Sequence, residues 1–366
     1  MKIGDTHFQS IWVKENDPGT IQVIDQRYLP FQFIIKDLKS PEDAIYAISE
    51  MVVRGAPLIG VTAAFGVYLA VLKYKNSKTA EIQIQESVNK IKDSRPTAVN
   101  LATAVDIQLK AILCGQNMDE KLQISFDTAV RFMEEETRAS KNIGTFGKDI
   151  LEQIAKKKNG SPVNILTHCN AGWLATVDYG TATAPVYMAH DQGVPLHVWV
   201  DETRPRNQGA RLTAWELGKH GISHSVIVDN AGGHLMQMGK VDVVIVGSDR
   251  TALNGDTANK IGTYLKALAA KDNSVPFYVA LPVSSIDWTL PEGLNNIPIE
   301  ERSEDEVHFM DGLTTQGKVE QIRITPESSR AVNYGFDVTP AKLITGLITD
   351  KGVCKANKQE IQKFAP

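Results

Sequence analysis

The stretch that indicates the fold is residues 163–203, where two apolar runs of strand length each end in polar residues. The first run and its turn read Val163-Asn164-Ile165-Leu166-Thr167-His168-Cys169-Asn170-Ala171-Gly172. After a helical segment, the second run reads Leu196-His197-Val198-Trp199-Val200-Asp201-Glu202-Thr203. Strands joined through helices favour a parallel sheet, and ligands bind at the carboxyl ends of such strands. We therefore expect functional residues at that edge.

The same alternation of strands and helices continues along the chain. Runs with strand character occupy residues 163–167, 196–200, 223–228, 241–246 and 276–281. Connecting helices at this spacing imply right-handed crossovers and a doubly wound α/β domain. Residues 283–366 are acidic and irregular around 300–306. One further helix is predicted from Thr339, because Thr339-Pro340 is typical of an N-cap and first helical position.

The chain before residue 159 has a different character. Residues 1–40 alternate apolar and polar side chains and predict a small β meander. Ser40-Pro41-Glu42 then signals a helix start, and further helices are predicted at about 57–74, 82–92, 97–113, 118–139 and 142–157. We expect a mainly helical domain with a small meander over residues 1–158, followed by the α/β domain over residues 159–366.

Composition narrows the classes of function. Lys and Arg number 39 against 43 Asp and Glu, a net charge of -4, and no long basic run indicates a nucleic-acid partner. The three cysteines are far apart, which fits neither a disulfide framework nor a cysteine zinc site and is typical of a reducing cytosol. The N-terminal residues lack an apolar signal region, so no secretory signal is expected.

Residues 55–72 carry no charge and reach the lower limit for a membrane span. Glycines at 60 and 66, together with Thr62 and Pro57, dilute their hydrophobicity. We therefore predict a buried core helix and no membrane association.

Cys169 and Asp249 are the candidates for chemistry, since each follows a predicted strand. A turn that leads into a helix N-terminus would stabilise a Cys169 thiolate, while the alternative is a buried cysteine that acts as a small hydrophobe. A carboxyl group at Asp249 is suited to general acid catalysis, but it could equally cap a helix or pair with Arg250. Asp201, Glu202 and Asp229 occupy comparable strand ends and could simply be helix caps.

Arginines stand directly before two predicted helix starts, at Arg54-Gly55-Ala56-Pro57 and Arg95-Pro96-Thr97. A guanidinium group beside free helix-start amides suits a phosphate group. Lys260, at the end of a polar loop over residues 254–259, could add a further cation. Each could also form an ordinary surface salt bridge, but their repetition favours a phosphorylated small molecule as ligand.

Several cofactor motifs are absent. No G-x-G-x-x-G follows the first strand, and neither G-x-S-x-G nor His-Glu-x-x-His occurs. The segment from Gly233 to Lys240 is not a P-loop, because five residues separate its glycines and Val241 replaces the Ser or Thr of that motif. We therefore expect no nucleotide cofactor and no metal, and a cofactor-free reaction on a phosphorylated metabolite.

At these residues the sequence resembles the methylthioribose-1-phosphate isomerases of methionine salvage, a family related to regulatory subunits of a eukaryotic translation-initiation exchange factor. The matching stretches appear in the expected order over about residues 50–285: Val53-Arg54-Gly55-Ala56-Pro57-Leu58-Ile59-Gly60, Ser94-Arg95-Pro96-Thr97-Ala98-Val99-Asn100, Thr167-His168-Cys169-Asn170-Ala171-Gly172, Glu202-Thr203-Arg204-Pro205, Asn207-Gln208-Gly209-Ala210-Arg211-Leu212-Thr213, Asp229-Asn230-Ala231, and Gly247-Ser248-Asp249-Arg250 continued by Asn254-Gly255-Asp256-Thr257-Ala258-Asn259-Lys260-Ile261-Gly262-Thr263.

The resemblance implies a mainly helical N-terminal domain, a Rossmann-like C-terminal domain, a cytoplasmic homodimer and the isomerisation of a ring-closed aldose 1-phosphate to a 1-phospho-ketose. It implies that Cys169 and Asp249 form the catalytic pair. The substrate-binding residues that it implies are Arg54, Gly55, Ala56, Arg95, Gln208, Asn259 and Lys260.

Two alternatives stay open at this point. Trp173 stands where many members of this family carry a small residue, so 5-deoxyribose 1-phosphate or ribose 1,5-bisphosphate could be the substrate. The alternative is that this tryptophan has no role in substrate choice and belongs to the core. A regulatory subunit with the same fold would need no acid–base pair, and the presence of both Cys169 and Asp249 favours an enzyme.

Overall fold

The computed structural model describes residues 1–95 and 99–365. By contacts the chain divides into two compact units. The first contains Met1–Leu29, Phe33–Lys141 and Gly172–Gly180, and the second contains Pro30–Gln32, Asn142–Ala171 and Thr181–Pro366.

The first unit begins with short antiparallel strands, in agreement with the meander predicted for residues 1–40. Strands β1 and β2 pair with each other, and β3, β4 and β5 form a three-stranded sheet in that order. The strands are β1 Lys2–Ile3, β2 Thr6–His7, β3 Ile11–Lys14, β4 Asp17–Ile24 and β5 Ile35–Leu38.

Five helices follow: α1 Pro41–Ser49, α2 Ala56–Tyr74, α3 Ala80–Asp93, α4 Val99–Ile112 and α5 Met118–Lys156. Ser40 caps α1 as predicted, because its hydroxyl accepts the backbone N–H of Asp43 at 3.2 Å. The predicted break between 139 and 142 is wrong. The residues there are Ser140 and Lys141, neither of which interrupts a helix as glycine or proline would.

Two sequence expectations stay predictions. The predicted start of a helix at Pro96-Thr97, directly after Arg95, lies outside the described residues. The predicted domain boundary at residue 158 stays a prediction, and the contact-based division of the chain falls within α5, between Lys141 and Asn142.

Helix α2 forms the centre of the first unit's core. Among the described residues it alone is long and apolar enough to cross a membrane, but 83% of that stretch is buried inside the protein. Gly66 permits close packing, since a Cβ there would lie 3.0 Å from the Cβ of Ala44 in α1 and 3.1 Å from Ile91 in α3. The helix is therefore a core helix, as its interspersed glycines predicted.

The second unit is built on a seven-stranded sheet in the order β18-β17-β12-β9-β6-β7-β8. Every neighbouring pair is parallel except β17 and β18. All five strands predicted for this part of the chain are present. The elements up to the fourth of them are β6 Val163–Thr167, α6 Ala184–Asp191, β7 Leu196–Asp201, α7 Ala214–Lys219, β8 His224–Ile227, α8 Ala231–Gln237 and β9 Val243–Val246.

The remaining elements are β10 Arg250–Ala252, β11 Thr257–Lys260, α9 Thr263–Asp272, β12 Phe277–Ala280, β13 Ile286–Asp287, α10 Asp305–His308, β14 Phe309–Leu313, β15 Val319–Arg323, β16 Phe336–Thr339, β17 Gly346–Thr349, β18 Gly352–Cys354 and α11 Lys358–Ile361. Strands β13, β10, β11 and β16 form a second small sheet in that order, and β14 and β15 form a hairpin.

The helix predicted from Thr339 is wrong. Thr339 ends β16, a single 3₁₀ turn covers Ala341–Leu343, and the chain then enters β17. All four residues of β17, Gly346-Leu347-Ile348-Thr349, are buried in the main sheet. Burial between neighbouring strands therefore outweighs the local helix-start signal of Thr339-Pro340.

The register of the main sheet brings the candidate residues to one edge. Leu166 of β6 lies opposite Val244 of β9 and opposite Trp199 of β7. Because these strands are parallel, the residues that follow β6, β7 and β9 emerge on the same side. Cys169 and Asp249 are therefore placed at the carboxyl edge, as predicted.

Candidate active site

Cys169 lies in the turn directly after β6 in a left-handed backbone conformation, with φ of 65°, and is only 8% exposed. Its backbone N–H donates to Thr203 Oγ1 at 2.8 Å, and its carbonyl accepts from Thr213 Oγ1 at 2.7 Å. The thiol donates to Gln208 Oε1 at 3.3 Å. The backbone of Cys169 is thus held at both its N–H and its carbonyl, and the side chain of Gln208 contacts the thiol.

No α-helix begins directly after this turn. The chain forms a 3₁₀ turn at Trp173–Ala175, and the next α-helix, α6, begins at Ala184. The expectation that a helix N-terminus follows the cysteine and stabilises a thiolate is therefore wrong.

Gln208 reaches Cys169 because the next residue, Gly209, packs directly against β7. A Cβ at Gly209 would lie 1.7 Å from the carbonyl oxygen of Asp201, so only glycine fits. Residues 209–213 form a π-helical turn that leads into α7. Such turns are frequent at functional sites.

Asn170 is held by side chains that sequence reasoning did not identify. Its Nδ2 donates to Thr213 Oγ1 at 3.1 Å and to Glu216 Oε1 at 2.9 Å, and Tyr187 donates its hydroxyl to Glu216 Oε2 at 2.9 Å. Glu216 is fully buried in α7. The sequence offered one signal, which is that Glu216 lies between the apolar residues Trp215 and Leu217. This position indicates a buried carboxylate, and a buried carboxylate needs hydrogen-bond partners.

Asp249 lies between β9 and β10 on the same edge as Cys169. Its backbone N–H donates to the carbonyl of Ala258 in β11 at 2.9 Å, which joins this loop to the strand that carries Asn259 and Lys260. Arg250, considered above as its partner, binds Asp287 through Nε at 2.9 Å. Asp249 as a whole residue is partly exposed.

Lys260 connects the two catalytic candidates electrostatically. Burial lowers the pKa of its ammonium group, and the nearby Cys169 and Asp249 oppose that effect because negative charge there favours the ammonium form. Its Nζ also lies 4.8 Å from the ring centroid of Phe336. Cys169, Asp249 and Lys260 therefore share one environment.

The polar segment before Lys260 is more ordered than the predicted loop, since residues 257–260 form β11. Asn259 is buried and donates from Nδ2 to Thr263 Oγ1 at 3.0 Å. Asp256 accepts from the backbone N–H of Ala341 at 2.9 Å, of Gly293 at 3.1 Å and of Leu294 at 3.1 Å. Burial alone would raise the pKa of Asp256, but these donors and Asn254 lower it. Asp256 is thus a structural carboxylate.

The remaining predicted binding residues lie in the first unit. Arg54 is buried and precedes Gly55, the N-cap of α2, and Ala56 is the first residue of that helix. Gly55 has φ of 90°, and a Cβ on it would lie 2.2 Å from the carbonyl oxygen of Ala175, so only glycine is accommodated. Arg95 is partly buried and follows Ser94, the C-cap of α3. A helix start beside an arginine suits an anion.

Trp173 and two tryptophans that follow it in the sequence, Trp199 and Trp215, have separate environments. Trp173 is 1% exposed. Trp199 donates its indole N–H to the carbonyl of Lys240 at 2.9 Å, and Trp215 lies 5.8 Å from the ammonium of Lys219.

One cluster has the side chains of a metal site. His168, Asp201 and Asp229 each offer a ligand atom, and these atoms lie within 4.8 Å of one another. Lys266 Nζ, however, lies 2.9 Å from Asp201 Oδ2. A lysine ammonium therefore already supplies the cation that this carboxylate needs.

Comparison with known proteins gives a consistent result. The Initiation factor 2 subunit family matches residues 52–356. Methylthioribose-1-phosphate isomerase of Desulfatibacillum aliphaticivorans is 54% identical over 366 residues, which covers 100% of this chain and 99% of that protein. The protein of that name from Brucella anthropi is 53% identical over 367 residues, with coverage of 100% and 99%.

Two solved structures are also similar over nearly the whole chain. The 5-methylthioribose 1-phosphate isomerase from Pyrococcus horikoshii OT3 superposes with a TM-score of 0.85 at 38% identity and covers 99% of each chain. The translation initiation factor eIF-2B, subunit delta, from A. fulgidus gives a TM-score of 0.82 at 34% identity, over 98% of this chain and 100% of that chain.

Proposed function

Because this chain belongs to the methylthioribose-1-phosphate isomerases of the Initiation factor 2 subunit family, we propose that it converts 5-methylthioribose 1-phosphate into 5-methylthioribulose 1-phosphate. The observation that carries the proposal is identity above 50% over the full chain with isomerases of that name. The electrostatic influence of Cys169 and Asp249 on Lys260, at the end of β11, supports it with suitable chemistry.

The first step that such a site must perform is ring opening. Phosphate on the anomeric oxygen blocks a free aldehyde, so the bond between C1 and the ring oxygen must break while the ring oxygen gains a proton. Asp249 is the proposed acid, since its carboxyl group follows a strand at the same edge as Cys169 and lies near Lys260. Arg54, Gly55, Ala56, Arg95, Gln208, Asn259 and Lys260 are the proposed substrate-binding residues.

The second step moves hydrogen from C2 to C1. In one route a base removes the C2 proton, an enediol-like intermediate forms, and C1 regains a proton while the 2-hydroxyl loses its own. In the other, hydride passes directly from C2 to C1 while the 2-hydroxyl loses its proton to a base. Both routes give the same ketose. Turnover in D₂O separates them, since only the first exchanges the migrating hydrogen with solvent.

A non-catalytic regulatory role is the second candidate, because the eIF-2B subunit from A. fulgidus has the same fold at 34% identity. A binding subunit needs no acid at Asp249 and no cysteine at 169. The isomerase proposal is preferred because this chain has both residues together with Lys260.

The test is ketose formation from 5-methylthioribose 1-phosphate, 5-deoxyribose 1-phosphate and ribose 1,5-bisphosphate, with Cys169→Ser and Asp249→Asn as controls. We expect a strong preference for the methylthio sugar and its loss in both variants. Equal rates on the deoxy sugar would point to a broader substrate range. Absence of turnover on all three would favour the regulatory role.

The family also suggests a pathway, a compartment and an oligomeric state for the protein. We propose that it acts in methionine salvage, in the cytoplasm and as a homodimer. The widely spaced cysteines, none of which forms a disulfide, are consistent with a reducing compartment. Size-exclusion chromatography with light scattering tests the homodimer, and a mass equal to one chain of 40.2 kDa would contradict it.

A further inference from the structure

The histidine beside Cys169 joins two parts of the candidate site that are distant in sequence. His168 is fully buried, and its ring lies between the end of β7 and the residue after β11. Its Nδ1 is 2.9 Å from Asp201 Oδ2, and its Nε2 is 2.8 Å from the carbonyl oxygen of Ile261. A carbonyl oxygen only accepts, so Nε2 carries a hydrogen and donates it.

The Asp201 side of the ring is anchored by a buried ion pair. Asp201 is fully buried, and Lys266 Nζ binds the same Oδ2 at 2.9 Å. Lys266 also donates to the carbonyl of Asp229 at 2.6 Å. A buried carboxylate with such a partner has few alternative arrangements, since losing the partner would leave an uncompensated charge. The ring of His168 is therefore held in one orientation.

The Ile261 side is fixed by close packing. The residue after Ile261 is Gly262, whose φ is 103°, and a Cβ there would lie 3.1 Å from both Cε1 and Nε2 of His168. The peptide between these residues consequently lies directly against the imidazole. Lys260 immediately precedes Ile261, and Cys169 immediately follows His168.

From this geometry we propose that His168 is a positioning residue, which sets the distance between the Cys169 turn and the Asn259-Lys260 strand end by its hydrogen bond to Ile261. Asp201 and Lys266 orient the ring for that bond. The inference rests on the proposed function for its effect on turnover. A displacement of about 1 Å in a catalytic group can cost about 10²-fold in rate, so the loss of this bond should slow the chemical step.

Two amide variants separate the two hydrogen bonds of the ring. In His168→Asn the side-chain amide occupies the place of Nδ1 and can still reach Asp201, but it is too short for Ile261. In His168→Gln the amide reaches the place of Nε2 and can donate to Ile261. We expect His168→Asn to lower kcat by about 10- to 100-fold with KM changed less than about threefold, and His168→Gln to recover most of the loss.

A second measurement does not depend on turnover. Cys354, like Cys169, is 8% exposed and lies in the second unit, and burial raises the pKa of its thiol to about 11. The alkylation rate of Cys354 in each variant is therefore compared with its own rate in the wild type, as an internal control for general loosening. Alkylation by N-ethylmaleimide under native conditions is followed for each cysteine by peptide mass spectrometry. We expect His168→Asn to accelerate alkylation of Cys169 several-fold while that of Cys354 stays constant, and His168→Gln to behave like the wild type.

The outcomes are distinguishable. Equal acceleration at both cysteines would mean general loosening and would overturn the positioning role, as would unchanged reactivity of Cys169 in His168→Asn. Equal kcat in the two variants would overturn it as well. If the wild type converts none of the sugar phosphates but Cys169 reacts as expected, the proposed function fails and the bridge through His168 stands.

Discussion

Helix α2 in the first unit and the turn at residues 168–170 in the second unit are both buried, but for different reasons. Residues 57–71 of α2 are buried without interruption, and nearly all of them are apolar or small. The turn consists of His168, Cys169 and Asn170, whose polar groups bind four side chains from residues 201–203 and 213–216. Apolar burial needs only apolar neighbours, whereas polar burial needs specific partners.

The largest effect is expected from removing Asp249, the proposed catalytic acid. We predict that Asp249→Asn lowers kcat on 5-methylthioribose 1-phosphate by about 10²- to 10⁴-fold, the usual contribution of general acid–base catalysis. The midpoint of thermal unfolding should stay near that of the wild type, because Asp249 is only partly buried. Steady-state kinetics and calorimetry measure the two quantities, and near-normal turnover would refute the assigned role.

Asp256→Asn is the matched control, seven residues along the same segment. Its carboxylate accepts three backbone N–H groups, so its loss should cost about 1–3 kcal/mol of stability. The kcat of the folded variant should stay within about threefold of the wild type, because the role of Asp256 is to accept hydrogen bonds and not to take part in catalysis. A large loss of kcat in Asp256→Asn, with normal kcat and lower stability in Asp249→Asn, would mean that Asp256 is the acid and Asp249 the structural carboxylate.

The next effect is expected in the apolar core around α2. Phe65 in α2 is fully buried in the first unit's core, and Phe65→Ala should lower the free energy of unfolding by about 3–5 kcal/mol, through lost burial and the cavity left behind. Ile82→Ala on α3 is the control, because Ile82 is 60% exposed and should change stability by less than about 0.5 kcal/mol. Urea unfolding measures both, and similar values would contradict the importance of α2.

This contrast also explains what the sequence could predict. The bounds of α2 and the five main strands follow from apolar runs of helix or strand length that end at polar or turn residues, and all were placed within a few residues. The break assigned within α5 was wrong, because no glycine or proline at residues 140–141 interrupts the helix. The helix assigned after Thr339 was wrong, because burial of the following strand outweighs the local helix-start signal.

The candidate site was predictable only in part. Strand ends place Cys169 and Asp249 at one edge from sequence periodicity alone, and the resemblance to a known family supplied Gln208 and Asn259. The partners that hold the turn, such as Thr213, Glu216 and Lys266, come from tertiary packing between segments 40 to 100 residues apart. No local pattern encodes such pairings.

A smaller effect tests whether the partners of the turn matter. Glu216→Ala would leave Asn170 Nδ2 and the Tyr187 hydroxyl without their buried acceptor, and we predict a loss of about 1–3 kcal/mol in stability. Because Asn170 adjoins Cys169, kcat should also fall. Tyr187→Phe, which removes one donor and leaves the Asn170 contact, should lose stability but keep kcat. Equal kcat in both variants would show that Glu216 has no influence on the turn.

The smallest effect is expected at a buried polar group that lacks a full set of partners. His197 has Nδ1 within 2.9 Å of Ser223 Oγ, but its buried Nε2 has no hydrogen-bond partner among the described residues. Burial, and after it the neighbouring His224, lower the pKa of His197. In the unfolded chain a histidine has a pKa of about 6.5, so the folded protein binds the proton more weakly.

The sign of the pH dependence follows from that difference. Stability attributable to the neutral ring is fully present above about pH 6.5 and is lost as the pH falls from there through the folded-state pKa. His197→Asn keeps an amide near Ser223 and removes the titration. Its thermal midpoint should therefore decline less steeply than that of the wild type between about pH 7 and about pH 5. Parallel slopes would mean that His197 is protonated as easily in the fold as in the unfolded chain, and that an unpartnered buried nitrogen carries no cost here.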